Sequence, residues 1–145
     1  MLSSILRGVY LLLLMVERDL RIHVGSLGAV EFKKGYYIYV GSGQKNLEKR
    51  IQRHKRRIKK VKWHIDYLTT RSDVKVLKAA AYNLPKKYEC IIADILRSMR
   101  FKPIRGFGST DCGCISHLYE IDLDFDRIVD EVSDKIRAKP VELDS

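Results

Sequence analysis

Three cysteines, three prolines and one tryptophan among 145 residues leave little room for several classes of protein. Small secreted domains stapled by disulfides need many paired cysteines, and here the number is odd. Cys112 and Cys114 stand too close in the chain for an ordinary disulfide with each other, so a reduced, cytoplasmic setting is the expectation. Long apolar runs are missing as well. The longest, from Val9 to Val16, falls well short of the roughly 20 residues that cross a bilayer. Arg7 is the single basic residue ahead of it and no small-residue cleavage site follows, which argues against a signal peptide. Internal repeats, linkers and low-complexity tracts are absent too. Asn and Gln are scarce beside Lys, Arg, Ile, Leu and Val, a balance that hints at a heat-adapted source.

What is present suits one domain spanning residues 1–145, with 46% hydrophobic residues to fill a core and 32% charged residues to cover it. The net charge of +10 is unevenly placed. Residues 45–62 hold ten Lys/Arg against one acid, Glu48, whereas residues 120–145 hold nine acids against four bases. Such a concentrated positive field makes polyanions the natural partners. An acidic membrane surface competes, but the basic segment lacks the Trp/Phe/Leu face of an interfacial anchor, so no membrane partner is expected.

Residues 8–16 read as a strand buried on both faces, because apolar residues occupy nearly every position. Residues 20–25 and 29–33 alternate around a Gly25-Ser26-Leu27-Gly28 turn and read as a hairpin. A strand over 36–41, a helix from Leu47 to about Lys60 and a short helix from Trp63 to about Thr70 follow. A strand over 74–82 and a helix over 86–100, opened by Pro85, come next. After a tight loop at Gly106-Phe107-Gly108, residues 115–121 read as the last strand and 123–138 as an acidic amphipathic helix. The class is α/β (α+β), with a small central mixed or antiparallel sheet flanked by helices.

Projected at 100° per residue, Leu47, Ile51, Ile58 and Val61 form one stripe of the basic helix. His54 falls inside that stripe and Arg50 at its border, while Lys49, Arg53, Arg56 and Lys60 cluster opposite. The outer row is solvated or touches a phosphate backbone. For the inner pair two readings stand on the helix alone: a core histidine beside a snorkelling arginine, or a pair aimed into a site. A second anomaly sits after Pro85, where Glu89 shares the stripe of Ile92, Ala93 and Leu96. Either the helix dipole favours it at the rim, or it is an inward carboxylate that needs an arginine or a divalent cation.

Gly8-Val9-Tyr10, Tyr39-Val40-Gly41, the Leu47-x-x-Arg50-x-x-x-His54 helix and Glu89, in that order, resemble the GIY-YIG nuclease superfamily. That superfamily includes the incision subunit of bacterial nucleotide excision repair and several homing endonucleases. Trp63-His64-Ile65-Asp66-Tyr67-Leu68, the run Gly106-Phe107-Gly108-Ser109-Thr110-Asp111-Cys112 and Ser116-His117-Leu118 are similar to an uncharacterised branch of it, domain of unknown function 123. The resemblance covers roughly residues 7–121. The chain departs from the compact superfamily core by the hairpin inserted within 20–33 and by a slightly longer connection from Tyr39 to Arg50.

The resemblance implies a divalent-metal-dependent endonuclease acting on DNA in preference to RNA. Glu89 would hold Mg²⁺ or Mn²⁺, Arg50 would brace the non-bridging phosphate oxygens, and Tyr10 would act as or help position the general base. Tyr39 and His54 would orient water and phosphate. Lys49, Arg53, Arg56, Arg57 and Lys60 would hold the nucleic acid, and His64, Asp66, Ser109, Asp111 and His117 would either support the site or fix loops by hydrogen bonds. Two other readings remain open: a non-catalytic nucleic-acid-binding module on the same scaffold, and a zinc-stabilised interaction domain using Cys90, Cys112, Cys114 and His117.

Overall fold

The computed structural model describes residues 7–109 and 113–144. Two nine-residue strands form its spine: β1 (Gly8–Val16) pairs antiparallel with β4 (Gly35–Gly43), with Tyr10 opposite Gly41 and Leu12 opposite Tyr39. On its other side β1 pairs with β5 (Val74–Tyr82), so it lies in the middle of the sheet. A central strand covered on both faces needs apolar side chains at every position, which the run Val9–Val16 supplies. The hairpin β2 (Leu20–His23) and β3 (Ala29–Phe32) forms a separate two-stranded sheet.

Helix α1 (Leu47–Lys55) follows β4, and α2 (Asp66–Thr69) precedes β5. After β5 come α3 (Tyr88–Ser98), the short β6 (Lys102–Pro103), β7 (Leu118–Ile121), α4 (Phe125–Ile136) and β8 (Val141–Asp144). The main sheet runs β6-β7-β4-β1-β5-β8, and every neighbouring pair is antiparallel. The fold is therefore a mixed α+β domain on an antiparallel sheet, without the parallel pairs of a mixed one.

The sheet separates two apolar layers. Tyr10, Leu12, Leu14, Tyr37 and Tyr39 face one side, with Leu47 and Ile51 of α1, Leu68 of α2 and Phe32 of the hairpin. Val9, Leu11, Ile38 and Val40 face the other, with Ile92, Ala93 and Leu96 of α3 and Phe125, Ile128, Val129 and Val132 of α4. Alternation along β1 and β4 thus feeds two cores from the same strands.

Several expected boundaries shift for identifiable reasons. α1 stops at Lys55, not near Lys60, because Lys59 folds back and its Nζ donates to the carbonyls of Arg53 (2.8 Å) and His54 (3.1 Å). A cation on the last carbonyls ends the helix and is favoured by its dipole. Ile58 and Val61 therefore leave the expected stripe, and Ile58 stands 93% exposed. The helix expected from Trp63 shrinks to the four residues of α2, and the strand expected from residue 115 begins at Leu118. β8, an alternating Val-Glu-Leu-Asp edge strand, and the two-residue β6 are too short to stand out as sequence patterns.

Candidate active site

The two glycine-containing motifs lie side by side because their glycines make room for specific neighbours. A Cβ on Gly41 would sit 2.5 Å from the Tyr10 ring and hydroxyl. Any side chain there would displace the Tyr10 ring. Gly8 has φ of +155°, and a Cβ on it would lie 2.0 Å from the carbonyl oxygen of Tyr82. These constraints seat Tyr10 and Tyr39 on one face with ring centroids 6.5 Å apart.

α1 then lays His54 over both tyrosines, at 5.6 Å from the Tyr10 ring and 5.9 Å from that of Tyr39. His54 is 1% exposed, and its Nε2 is 2.5 Å from the Tyr10 hydroxyl. Its Nδ1 is buried without a hydrogen-bond partner among the described residues. Burial first, then the nearby positive charge of Lys59, pushes its pKa down to about 3, so the ring is neutral at physiological pH. An unsatisfied nitrogen lone pair is more tolerable in a core than an unsatisfied N–H. That preference assigns the proton to Nε2, which donates to the Tyr10 oxygen and leaves the phenolic hydrogen for another acceptor. Burial raises the pKa of Tyr10 and Tyr39, with the negative charge of Glu89 adding to both and Arg50 opposing it. Both are phenols, not phenolates.

Arg50 donates from Nη1 to the carbonyl of Ser42 at 2.5 Å and stacks on Trp63 with its guanidinium carbon 4.6 Å from the ring centroid. Glu89 comes from α3, whose apolar face packs on the opposite side of the sheet from α1. β7 pairs with residues 36–39 of β4, and the first turn of α3 brings Glu89 to a cavity that Tyr39, Gly41 and Ser42 of β4 also line. Tyr10, Tyr39, Arg50 and Glu89 consequently line one cavity of about 170 Å³, together with Trp63, Lys86 and His117. The Glu89 carboxylate has no hydrogen-bond or ion-pair partner among the described residues. A groove of about 520 Å³ shares Ser42, Arg50, Trp63 and Lys86 with this cavity and continues along Lys45, Lys49 and Arg56.

The remaining expected residues divide sharply. Arg53, placed in the outer row by the helical projection, turns inward and grips Asp66 with two nitrogens at 2.9 and 2.8 Å. Asp66 is 0% exposed and also accepts the backbone N–H groups of Lys62 and Trp63, at 2.8 and 2.9 Å. Burial alone would push its pKa up, but these hydrogen bonds outweigh it and hold the carboxyl below its ordinary value. Arg53 and Asp66 therefore build the loop after α1. Lys49, Arg56, Arg57 and Lys60 stay exposed, as expected.

His64 accepts the N–H of Gly108 on Nδ1 at 2.9 Å and so anchors the loop at Gly106–Gly108. Ser109 is buried and its hydroxyl donates to the Ile115 carbonyl at 3.4 Å. His117 lines the cavity, with Nε2 3.9 Å from the Cys90 sulfur. Asp111 and Cys112 lie outside the described residues. The expectation of reduced cysteines is corrected for one pair: Cys90 and Cys114 form a disulfide that ties α3 to the segment before β7. They stand at a sequence separation of 24, so no local spacing revealed it.

Trp63 and Lys86 were not among the expected site residues. The single tryptophan of the chain, directly after its most basic segment, was the available signal for Trp63. Lys86, next to Pro85, carried none.

No curated protein and no solved structure matches the chain. The profile of a family described as Domain of unknown function DUF123 matches residues 9–139, nearly the whole length and every element that lines the cavity, and the chain belongs to that family.

Proposed function

We propose that the protein is a divalent-metal-dependent endonuclease that hydrolyses phosphodiester bonds, with a site of the GIY-YIG type and DNA favoured over RNA. The observation that carries this reading is the meeting of Tyr10, Tyr39, Arg50 and Glu89 in one cavity that opens into a basic groove. A phosphodiester lying in the groove places its phosphate among donors of the right kind. Arg50, fixed by Ser42 and Trp63, offers its remaining N–H groups to the non-bridging oxygens, where charge grows in the transition state. Tyr10 holds phosphate or water with the phenolic hydrogen that His54 leaves free. The raised pKa argues for this positioning role over general-base action.

Glu89 fits a hard cation: a carboxylate unpaired among the described residues at a polar cavity, with several waters and substrate phosphate as the other ligands, is how Mg²⁺ is commonly held. Mg²⁺ or Mn²⁺ bound there would neutralise phosphate charge and lower the pKa of the attacking water. It would also offset the Glu89 charge that now raises both phenols. A cytoplasmic setting is the reading that fits a nucleic-acid substrate. The disulfide does not preclude this, because intracellular disulfides persist in heat-adapted organisms.

The test is a cleavage panel with Mg²⁺ and Mn²⁺ over single-stranded, duplex, flapped and branched DNA and RNA, beside Glu89→Gln and chelated controls. Cleavage of at least one DNA that both controls abolish is the expected result. Salt-sensitive binding with no cleavage of any substrate would replace this reading with a binding module on the same scaffold.

A further inference from the structure

Cleavage makes no use of the sulfur chemistry beside the cavity. Cys90 is the residue after Glu89 on α3, and Cys114 and His117 lie in the segment leading into β7. The two sulfurs and a ring nitrogen of His117 fall within 4.8 Å of one another. In this structure the sulfurs are joined, and His117 Nε2 lies 3.9 Å from Cys90 Sγ. His117 is buried, and its Nε2 faces the Cys90 sulfur.

We propose that Cys90, Cys114 and His117 form a redox-gated site for a soft divalent cation of the Zn²⁺ class, available only when the disulfide is reduced. The proposal goes beyond the cleavage reading and does not depend on it. Two thiolates and an imidazole select Zn²⁺ over Mg²⁺, because soft ligands discriminate by type and not by charge alone. Tetrahedral zinc, with Zn–S of about 2.3 Å and Zn–N of about 2.0–2.1 Å, places its ligand atoms roughly 3.5–3.8 Å apart. The 3.9 Å between His117 and Cys90 already approaches that spacing. The Cα atoms of the two cysteines are 5.9 Å apart, so rotation about their Cα–Cβ bonds can separate the freed sulfurs to a similar distance.

The chemistry balances simply. A thiol reductant delivers two electrons and two protons to the S–S bond, giving two cysteine thiols and the reductant's own disulfide. The cation then displaces both thiol protons and binds two thiolates and the neutral imidazole. Three protein ligands leave a fourth position for water or substrate, the count seen in catalytic zinc sites. Because His117 also lines the cavity with Glu89, the state of the sulfur pair reaches the wall of the candidate active site.

Co²⁺ is the probe, since tetrahedral thiolate coordination gives it intense visible bands and a near-ultraviolet sulfur-to-metal charge-transfer band. The full chain, reduced with a phosphine and freed of it without air, should bind one equivalent with both signatures. Zn²⁺ should displace it, and the oxidised chain should show neither band. Cys90→Ser and Cys114→Ser should each weaken binding by at least ~100-fold, more than the loss of an outer partner, and His117→Ala should shift the visible bands. Glu89→Gln should leave the cobalt spectrum unchanged even where it abolishes Mg²⁺-dependent cleavage, which separates failure of this site from failure of the cleavage reading. Absence of stoichiometric binding by the reduced chain would overturn the proposal. So would a spectrum without sulfur charge transfer, or one that survives both serine variants in folded protein.

Discussion

Arg50 and Arg53 leave the same helix one turn apart, stack on the same indole at 4.6 and 4.4 Å, and meet different carboxylate environments. Arg53 reaches Asp66, a carboxylate saturated by its two guanidinium nitrogens and two backbone N–H groups. Arg50 faces the cavity of Glu89, whose carboxylate is unpaired among the described residues. Each case sets an arginine against a carboxylate, so charge does not separate structure from function. Saturation does. A buried acid whose lone pairs are all used holds a loop together, whereas one left open at a cavity is available to a ligand.

That contrast breaks most visibly at Asp66. Removing it strands Arg53 and frees two backbone N–H groups, so Asp66→Ala should destabilise the fold by about 3–5 kcal/mol. Glu89→Gln should change stability by no more than about 0.5 kcal/mol while removing metal-dependent cleavage. Denaturant midpoints of the two variants decide this. Comparable losses of stability from both would show that Glu89 is structural.

Arg50→Ala tests the functional side. It loses a donor aimed where charge grows, so single-turnover cleavage should slow by about 10²–10³ while affinity for uncut DNA stays nearly unchanged. A matching loss of affinity would mean that Arg50 only holds ground-state phosphate.

The buried histidine over the tyrosines predicts a pH effect of intermediate size. The folded-state pKa of His54, about 3, lies below its ordinary value of 6.5. Below pH 6.5 the unfolded chain binds a proton that the folded chain refuses, so stability falls as pH drops from 6.5 toward 3. The slope reaches at most about 1.4 kcal/mol per pH unit. His64 and His117 are also held below the ordinary value by burial and act with the same sign. The informative quantity is therefore the difference from His54→Gln, which should be less pH-dependent between about 4.5 and 6.5. Parallel curves for the two proteins would show that His54 does not titrate out of register with the unfolded chain.

Features carried by local pattern were legible in the sequence. Unbroken apolar character marked β1, and the 3.6-residue period put Leu47, Ile51 and His54 on the packed face of α1. The ordered motifs named Tyr10, Tyr39, Arg50 and Glu89, which line one cavity, whereas the period alone put Glu89 on the α3 stripe that packs on the other face of the sheet. Features carried by single long-range contacts were not legible. The end of α1 depends on Lys59 turning back onto carbonyls, and the inward turn of Arg53 depends on Asp66 waiting 13 residues later. A helical wheel cannot represent either, because both begin where the helix stops. Cys90 and Cys114 meet only after the sheet has brought α3 beside the segment ahead of β7.

The smallest expected effect sharpens the comparison along the outer surface. Lys49, Arg53 and Arg56 all line the groove, but Lys49 and Arg56 are exposed whereas Arg53, between them in sequence, is committed to Asp66. If groove cations contact phosphates, Lys49→Ala and Arg56→Ala should each lower the slope of log affinity against log salt by about one unit or less, without changing stability. Between 50 and 200 mM salt one lost contact corresponds to only about a threefold to fourfold difference. Arg53→Ala should do the reverse, leaving Asp66 without its main partner and destabilising the fold before any change in the salt slope can be read. The measurement is equilibrium binding at four or more salt concentrations beside thermal unfolding of each variant. Should Arg53→Ala remain as stable as the parent and reduce the slope like its neighbours, its bond to Asp66 would be dispensable, and all three cations would belong to one phosphate-binding row.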